Sequence, residues 1–321
     1  MRAIQVLEHG GPDVLQVGEV PDPAVGSGQV LVKTDASGVN FIDTYYRTGT
    51  YKRPLPYVPG EEGTGVVTGV GEGVDDIAVG DRVAWSSAPG SYAELVLVPA
   101  MSAIPVPDGV GAPEAASALL QGMTAHYLIR SVYEPQAGET VLIHAGAGGV
   151  GLILTQLAHA RGVKVITTVS TDAKEALSRE AGADHVFRYE GDLVERVRGL
   201  TDGEGVAAVY DGVGASTFEQ SLQSLRVRGM LALFGAASGP VPPVDPQKLN
   251  AAGSVFLTRP KLADYIRTRE ELLWRAGEIF TAIADRTLKI RIGAEYPLAE
   301  AAQAHRDLEG RKTTGSIVLL P

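Results

Sequence analysis

The sequence predicts an α/β protein of two domains, a small, partly open β-barrel followed by a doubly wound parallel sheet with helices on both faces. Three observations carry this expectation. At 321 residues the chain exceeds the size at which one hydrophobic core usually keeps growing. Up to about residue 100 it holds short apolar runs closely spaced by glycine and proline, whereas beyond residue 140 strand-like and helix-like segments alternate. The first of those later strands is joined to its helix by a glycine turn, Gly146-Ala147-Gly148-Gly149-Val150-Gly151.

In the N-terminal region the strand patterns are Gln29–Lys33, Gly65–Val70, Asp81–Trp85 and Tyr92–Val98, as in a small antiparallel barrel. Ala115–Arg130 is rich in alanine and leucine and reads as a bridging helix with a break at Gly122. Val141–Ala145 is a short buried-strand pattern. Val150, Leu154, Leu157 and Ala158 then share one helical face, and Arg161 with Gly162 marks the helix stop. Val163–Val169 completes a strand-helix-strand unit. Helices over Asp172–Ala181 and Leu193–Gly199 alternate with strands at His185–Tyr189, Val206–Asp211, Met230–Phe234 and Ser254–Leu257. A helix over Glu270–Arg286 and a strand at Gly315–Leu320 end the chain.

Composition excludes several classes of function. An apolar fraction of 45% supports globular packing, and a formal charge of −10 without a basic stripe argues against nucleic acid or an anionic membrane as partner. The absence of cysteine rules out disulfides, thiolate catalysis, iron-sulfur clusters and any Cys-based zinc site. The six histidines have no close paired spacing and read as scattered structural or surface residues. No G-x-S-x-G occurs, which removes the simplest hydrolase. The first residues turn polar too early for a signal peptide, and no 18-residue apolar run is present, so a soluble cytoplasmic protein is expected.

Gly146, Gly148 and Gly151 have the G-x-G-x-x-G spacing of a dinucleotide turn, with bare N–H groups at a helix N-terminus to hold the pyrophosphate. About 20 residues on, the end of the second strand discriminates between a ribose hydroxyl and a ribose phosphate. That window, Thr167–Thr171, holds no carboxylate; Ser170 and Thr171 offer hydroxyls and Lys174 a charge one helical turn further. NADPH is therefore expected over NADH. Asp172 opposes this if it points inward and does not if it faces solvent as a first-turn helix residue.

Several motifs in order, Gly38-Val-Asn-Phe-Ile-Asp-Thr-Tyr45, Gly80-Asp-Arg-Val83, Gly90-Ser-Tyr-Ala-Glu94, the glycine turn, Val209-Tyr-Asp211, Leu257-Thr-Arg-Pro260 and Gly315-Ser316, span nearly the whole chain. On these the chain resembles the medium-chain dehydrogenases/reductases, and within them the zinc-independent, zeta-crystallin-like quinone oxidoreductases. The resemblance implies a GroES-like catalytic domain over residues 1–123 and 259–321, and a Rossmann cofactor domain over 124–258. Two departures stand out. Gly146 replaces the alanine usual in that branch, which is expected to loosen the turn slightly, and His159 stands where a basic or small residue is more usual.

Zinc-dependent relatives carry Cys and His ligands near the Asn40 and Glu61 positions, and this chain has neither; Asp43, Glu61 and Glu62 are a poor substitute for a site wanting N or S ligands. No metal is expected. Polarising a substrate carbonyl then falls to Asn40 and Tyr45, which the resemblance puts beside the nicotinamide, with Asp43 orienting them. It also implies that Thr124 contacts the nicotinamide end, that Ser170, Lys174 and Tyr189 hold the adenosine phosphate, and that Phe234 and Leu257-Thr258-Arg259 lie along the cofactor. Arg311 would reach back toward it. The expected function is NADPH-dependent, metal-independent reduction of quinones in a cleft between the domains, by one-electron or hydride transfer. Two alternatives are an NADPH-dependent reductase of activated C=C bonds and a non-catalytic NADPH-binding protein. A homodimer pairing through an edge strand near Ser254–Leu257 is a further implication.

Overall fold

Val206–Asp211 is buried along its whole length in the computed structural model, which describes residues 1–321. Strands of that kind belong to parallel sheets covered on both faces. The chain divides into two units, one formed by Met1–Met123 with Ile266–Pro321, the other by Thr124–Tyr265.

In chain order the first unit contributes β1 (Arg2–Val6), β2 (Leu15–Glu19), β3 (Gln29–Val39), α1 (Phe41–Arg47), β4 (Glu62–Val70), β5 (Arg82–Trp85), β6 (Leu95–Pro99) and β7 (Ile104–Pro105). Helix α2 (Ala112–Tyr127) leads into β8 (Thr140–Ile143), α3 (Gly149–His159), β9 (Lys164–Val169), α4 (Asp172–Glu180), β10 (His185–Arg188) and α5 (Leu193–Gly199). Then come β11 (Val206–Asp211), α6 (Phe218–Gln223), β12 (Leu225–Leu233), α7 (Pro246–Ala251) and β13 (Phe256–Thr258). The returning segment adds α8 (Arg269–Ala284), β14 (Ile292–Pro297), α9 (Ala301–Glu309) and β15 (Ser316–Leu320).

The second unit is a six-stranded parallel sheet in the order β10-β9-β8-β11-β12-β13. This is the doubly wound order whose direction reverses between β8 and β11, where the ends of the strands open a ligand crevice. Leu142, Ile166, Val209, Leu231, Phe218 and Leu222 pack together in its core. In the first unit the sheet runs β14-β15-β3-β4-β5-β7, with β6 also paired to β3 and a separate β1-β2 ladder. Its strands alternate buried and open positions, as in Leu95–Pro99, because one face packs and the other does not. This GroES-like sheet with a Rossmann sheet matches the expected fold class.

Local differences have identifiable causes. Helix α2 does not break at Gly122: a Cβ there would lie 3.0 Å from Ile279 Cγ2, so the glycine lets α8 approach rather than interrupting the helix. The strand expected from Ser254 begins at Phe256, since Ser254 adopts φ +56 and leaves the ladder. The last residue of the second unit, Tyr265, stacks on Tyr127 with ring centroids 4.4 Å apart. No helix is long and apolar enough to cross a membrane.

Candidate active site

After β8 the chain turns through Ala145, at φ +53, into α3, whose N-cap is Gly148. The Gly146 N–H donates to the Thr168 carbonyl and that of Gly148 to the Ala145 carbonyl, both at 2.9 Å. A Cβ at Gly146 would stand 2.5 Å from Thr167 Cβ, and one at Gly151 2.3 Å from the Ala145 oxygen. The expectation that Gly146 loosens the turn is therefore corrected: the turn presses so closely on β9 that no side chain fits. The N–H groups of Gly149, Val150 and Gly151 in the first turn of α3 have no partner within the helix, which makes them donors for an anion. Ala147, within the turn, is buried.

The residues expected on the adenosine side gather at the same ends of the strands. Ser170 follows β9, exposed, and Thr171 caps α4 by accepting from the Lys174 N–H at 3.3 Å. The Tyr189 hydroxyl accepts from the Ala145 N–H at 3.1 Å, its ring nearly parallel to that of His144. Asp172 has a fully exposed carboxylate, paired with Arg188. Arg188 also bonds the Thr171 carbonyl and lies 3.0 Å from Glu175 Oε2. The sequence did not single out this arginine, because it stands on the next strand and meets Asp172 only through sheet register.

On the other half of that sheet the Phe234 N–H donates to the Asp211 carbonyl at 2.9 Å, and its ring covers Gly212, where a Cβ would be 2.8 Å from Cζ. Leu257 and Thr258 pair with Leu231 and Ala232, and Arg259 follows them, exposed. Thr124 is buried on α2. Arg311 lies in the first unit, in an exposed turn after α9 at φ +55.

The first unit brings Asn40 and Asp43 together. Asn40 follows β3 in extended conformation and caps α1; its N–H donates to Asp43 Oδ2 at 2.8 Å. Its Nδ2 donates to Glu62 Oε2 at 2.8 Å and its Oδ1 accepts from Gln121 Nε2 at 3.1 Å. One amide hydrogen is thus committed to Glu62. Gln121 is held in turn by Ser316 at 2.8 Å, and Glu62 by the Leu120 N–H at 2.7 Å. Tyr45 lies one turn into α1, edge-on to Tyr51 at 5.3 Å.

Behind Asp43 runs a buried chain of hydrogen bonds. Arg47 lies 2.9 Å from His305 Nδ1, His305 Nε2 lies 3.1 Å from the Tyr92 hydroxyl, and that hydroxyl donates to Asp43 Oδ2 at 3.0 Å. Guanidinium only donates, so Nδ1 accepts and Nε2 carries the hydrogen given to Tyr92. Burial, with Arg47 adding to it, pushes His305 down to about 3, which keeps it neutral. Arg47 closes on Glu309 at 2.7 and 3.0 Å. Burial raises Asp43 to about 7 and Glu62 to about 8. Tyr92, Arg47 and His305 were not anticipated as a group; Tyr92 stood in a quoted motif, and His305 counted among the scattered histidines.

Asp43, Glu61 and Glu62 face different partners, Glu61 pairing with Arg53 at 2.7 Å, and no three His, Asp or Glu side chains converge as metal ligands. His144 is likewise engaged, Nδ1 with Thr168 at 2.8 Å and Nε2 with Ser221 at 2.9 Å, and Ser221 donates to Asp211.

The alcohol dehydrogenase GroES-like domain family model matches residues 26–108, and that of the zinc-binding dehydrogenases matches residues 149–271. A quinone oxidoreductase of Pseudomonas aeruginosa is 45% identical over 323 aligned positions, covering all of this chain and 99% of the relative. The chain belongs to the quinone oxidoreductase family of medium-chain dehydrogenases/reductases. Within that family, the Escherichia coli quinone oxidoreductase solved in complex with NADPH is 43% identical, with a TM-score of 0.98 and full coverage of both chains. A mycobacterial protein, also solved with NADPH, is 59% identical with a TM-score of 0.98, again over the whole of both chains.

Proposed function

We propose that the chain is an NADPH-dependent quinone reductase that works without a metal. The observation that carries this is the glycine turn: space for a Cβ is missing at Gly146 and Gly151, while the first N–H groups of α3 remain for a pyrophosphate. The full-length likeness to quinone oxidoreductases, two of the similar structures holding NADPH, supports the same cofactor and substrate class. NADPH supplies the reducing equivalents from its nicotinamide. Asn40 offers the amide hydrogen that Glu62 leaves over, and Tyr45 a phenol, to oxygen charge developing on the quinone. Asp43 holds the backbone of Asn40 in place for this.

In this proposal residues 1–123 and 259–321 form the catalytic domain and 124–258 the cofactor domain. Ser170, Lys174 and Tyr189 take the adenosine phosphate. Thr124, Phe234 and Leu257-Thr258-Arg259 flank the nicotinamide half, and Arg311 closes on the cofactor. A homodimer through β13 is supported by its position at the sheet edge with Phe256 57% exposed.

The test is oxidation of NADPH and NADH by the purified protein with 1,4-benzoquinone, 9,10-phenanthrenequinone and a simple enal. Turnover of NADPH with quinones alone is expected. Turnover of the enal in preference to quinones, or binding of NADPH without turnover, overturns the proposal.

A further inference from the structure

We infer that Arg188 is a ligand of the NADPH 2′-phosphate and sets the preference for NADPH over NADH, with Asp172 as the anion it must exchange. The inference rests on the cofactor assignment above. Arg188 ends β10 and pairs in register with Val169, the last residue of β9, so it stands beside Ser170 and Thr171 where ribose chemistry is discriminated. The neighbouring Tyr189 hydroxyl is tied to the Ala145 N–H, which joins this end of β10 to the glycine turn itself.

The charges around the guanidinium explain why it is available. Its partners are the Thr171 carbonyl, the Asp172 carboxylate and Glu175 Oε2 at 3.0 Å. Glu175 is also bonded through Oε1 to Arg179, at 2.8 and 2.9 Å, and keeps a cation when Arg188 moves. Asp172 is fully exposed, and ion pairs of that kind contribute little because water and salt compete for both partners. A phosphate monoester carries more charge than a carboxylate and matches the planar fork of arginine through two parallel hydrogen bonds. Exchange of Asp172 for the 2′-phosphate is therefore favourable, whereas NADH, with a hydroxyl at that position, leaves the Arg188–Asp172 pair unchallenged.

Calorimetric titration of NADPH, NADH and 2′,5′-ADP into the wild type, Arg188→Gln, Arg188→Lys and Asp172→Asn tests this without turnover. Arg188→Gln is expected to weaken NADPH and 2′,5′-ADP by about 10- to 100-fold, the size of a charge-assisted bond, while NADH stays within about threefold. Arg188→Lys should recover part of the loss, and Asp172→Asn should tighten NADPH. Unchanged NADPH binding in Arg188→Gln overturns the inference while leaving the cofactor assignment standing. Equal losses for NADPH and NADH also overturn it, since they report damage to the turn. A wild type that binds neither dinucleotide overturns the cofactor assignment, and the inference with it.

Discussion

The hydroxyl of Tyr92 donates to Asp43 Oδ2 at 3.0 Å, and both side chains are buried to within 1% of their surface. That bond ends the line of donors from Arg47 through His305, and it meets the carboxylate that also caps α1 through the Asn40 N–H. Tyr92→Phe removes the donor to Asp43 and the acceptor of His305 together. A loss of about 1–3 kcal/mol is expected, because two buried polar groups lose a partner. Urea titration of the variant beside the wild type measures it, and coincident curves would show the chain to be dispensable.

The buried carboxylates set a pH dependence whose sign can be derived. Burial holds Asp43 at about 7 and Glu62 at about 8, against ordinary values of 3.8 and 4.5. The folded state therefore keeps protons that the unfolded chain has released, and stability falls as pH rises through that interval. The contribution is complete below the unfolded values and gone above the folded ones. His305, lowered from 6.5 to about 3, acts in the opposite sense below its ordinary value. That opposing contribution fades above about pH 6.5, so from about pH 7 to 8 the raised carboxylates set the downward slope. Denaturation midpoints should decline across that interval in the wild type and decline less in Glu62→Gln; parallel profiles would refute the assignment.

Gly146→Ala places a methyl group 2.5 Å from Thr167 Cβ, an atom that cannot swing away. Overpacking of this kind costs about 1–3 kcal/mol. The variant should lose thermal stability and bind NADPH more weakly than the wild type, as read by calorimetry. Unaltered binding would mean that the turn yields at little cost.

Asn40→Ala is expected to lower kcat with quinones by about 100-fold with a smaller change in KM, the signature of a donor that acts as charge develops. Retention of kcat with a raised KM would leave Asn40 only a binding role.

Tyr45→Phe should change quinone turnover by less than about fivefold, because an electron-poor ring needs little acid catalysis. Steady-state rates with 1,4-benzoquinone decide the point. A loss of two orders of magnitude would make the phenol an obligatory proton donor to quinones, whereas a large loss on a simple enal beside little loss on quinones would favour the reduction of C=C bonds.

Elements whose signal lies in consecutive residues were legible. Val206–Asp211 and Leu193–Gly199 have the bounds the sequence predicts, the first from unbroken apolar character and the second from its helical period. The glycine turn was legible because its spacing answers to one local geometry. The short helix Phe218–Gln223, the nine-residue Ala301–Glu309 and the strand Ile292–Pro297 were not anticipated, each being too short for periodicity to rise above a mixed composition.

Sequence alone determined the two-domain α/β class, the dinucleotide turn, the absence of thiolate chemistry and the residues Asn40, Asp43 and Tyr45 as candidates. The first three follow from residue identity and near-neighbour spacing, and the candidate residues from the family resemblance that those motifs carry. Only the tertiary structure decided that Asp172 turns to Arg188, that Gly146 is pressed against Thr167, and that Asp43 is reached from His305 across 262 positions of chain. Such pairings depend on sheet register and on elements returning from the far end of the sequence. A hydrogen bond specifies distance in space, and folding makes that independent of distance along the chain.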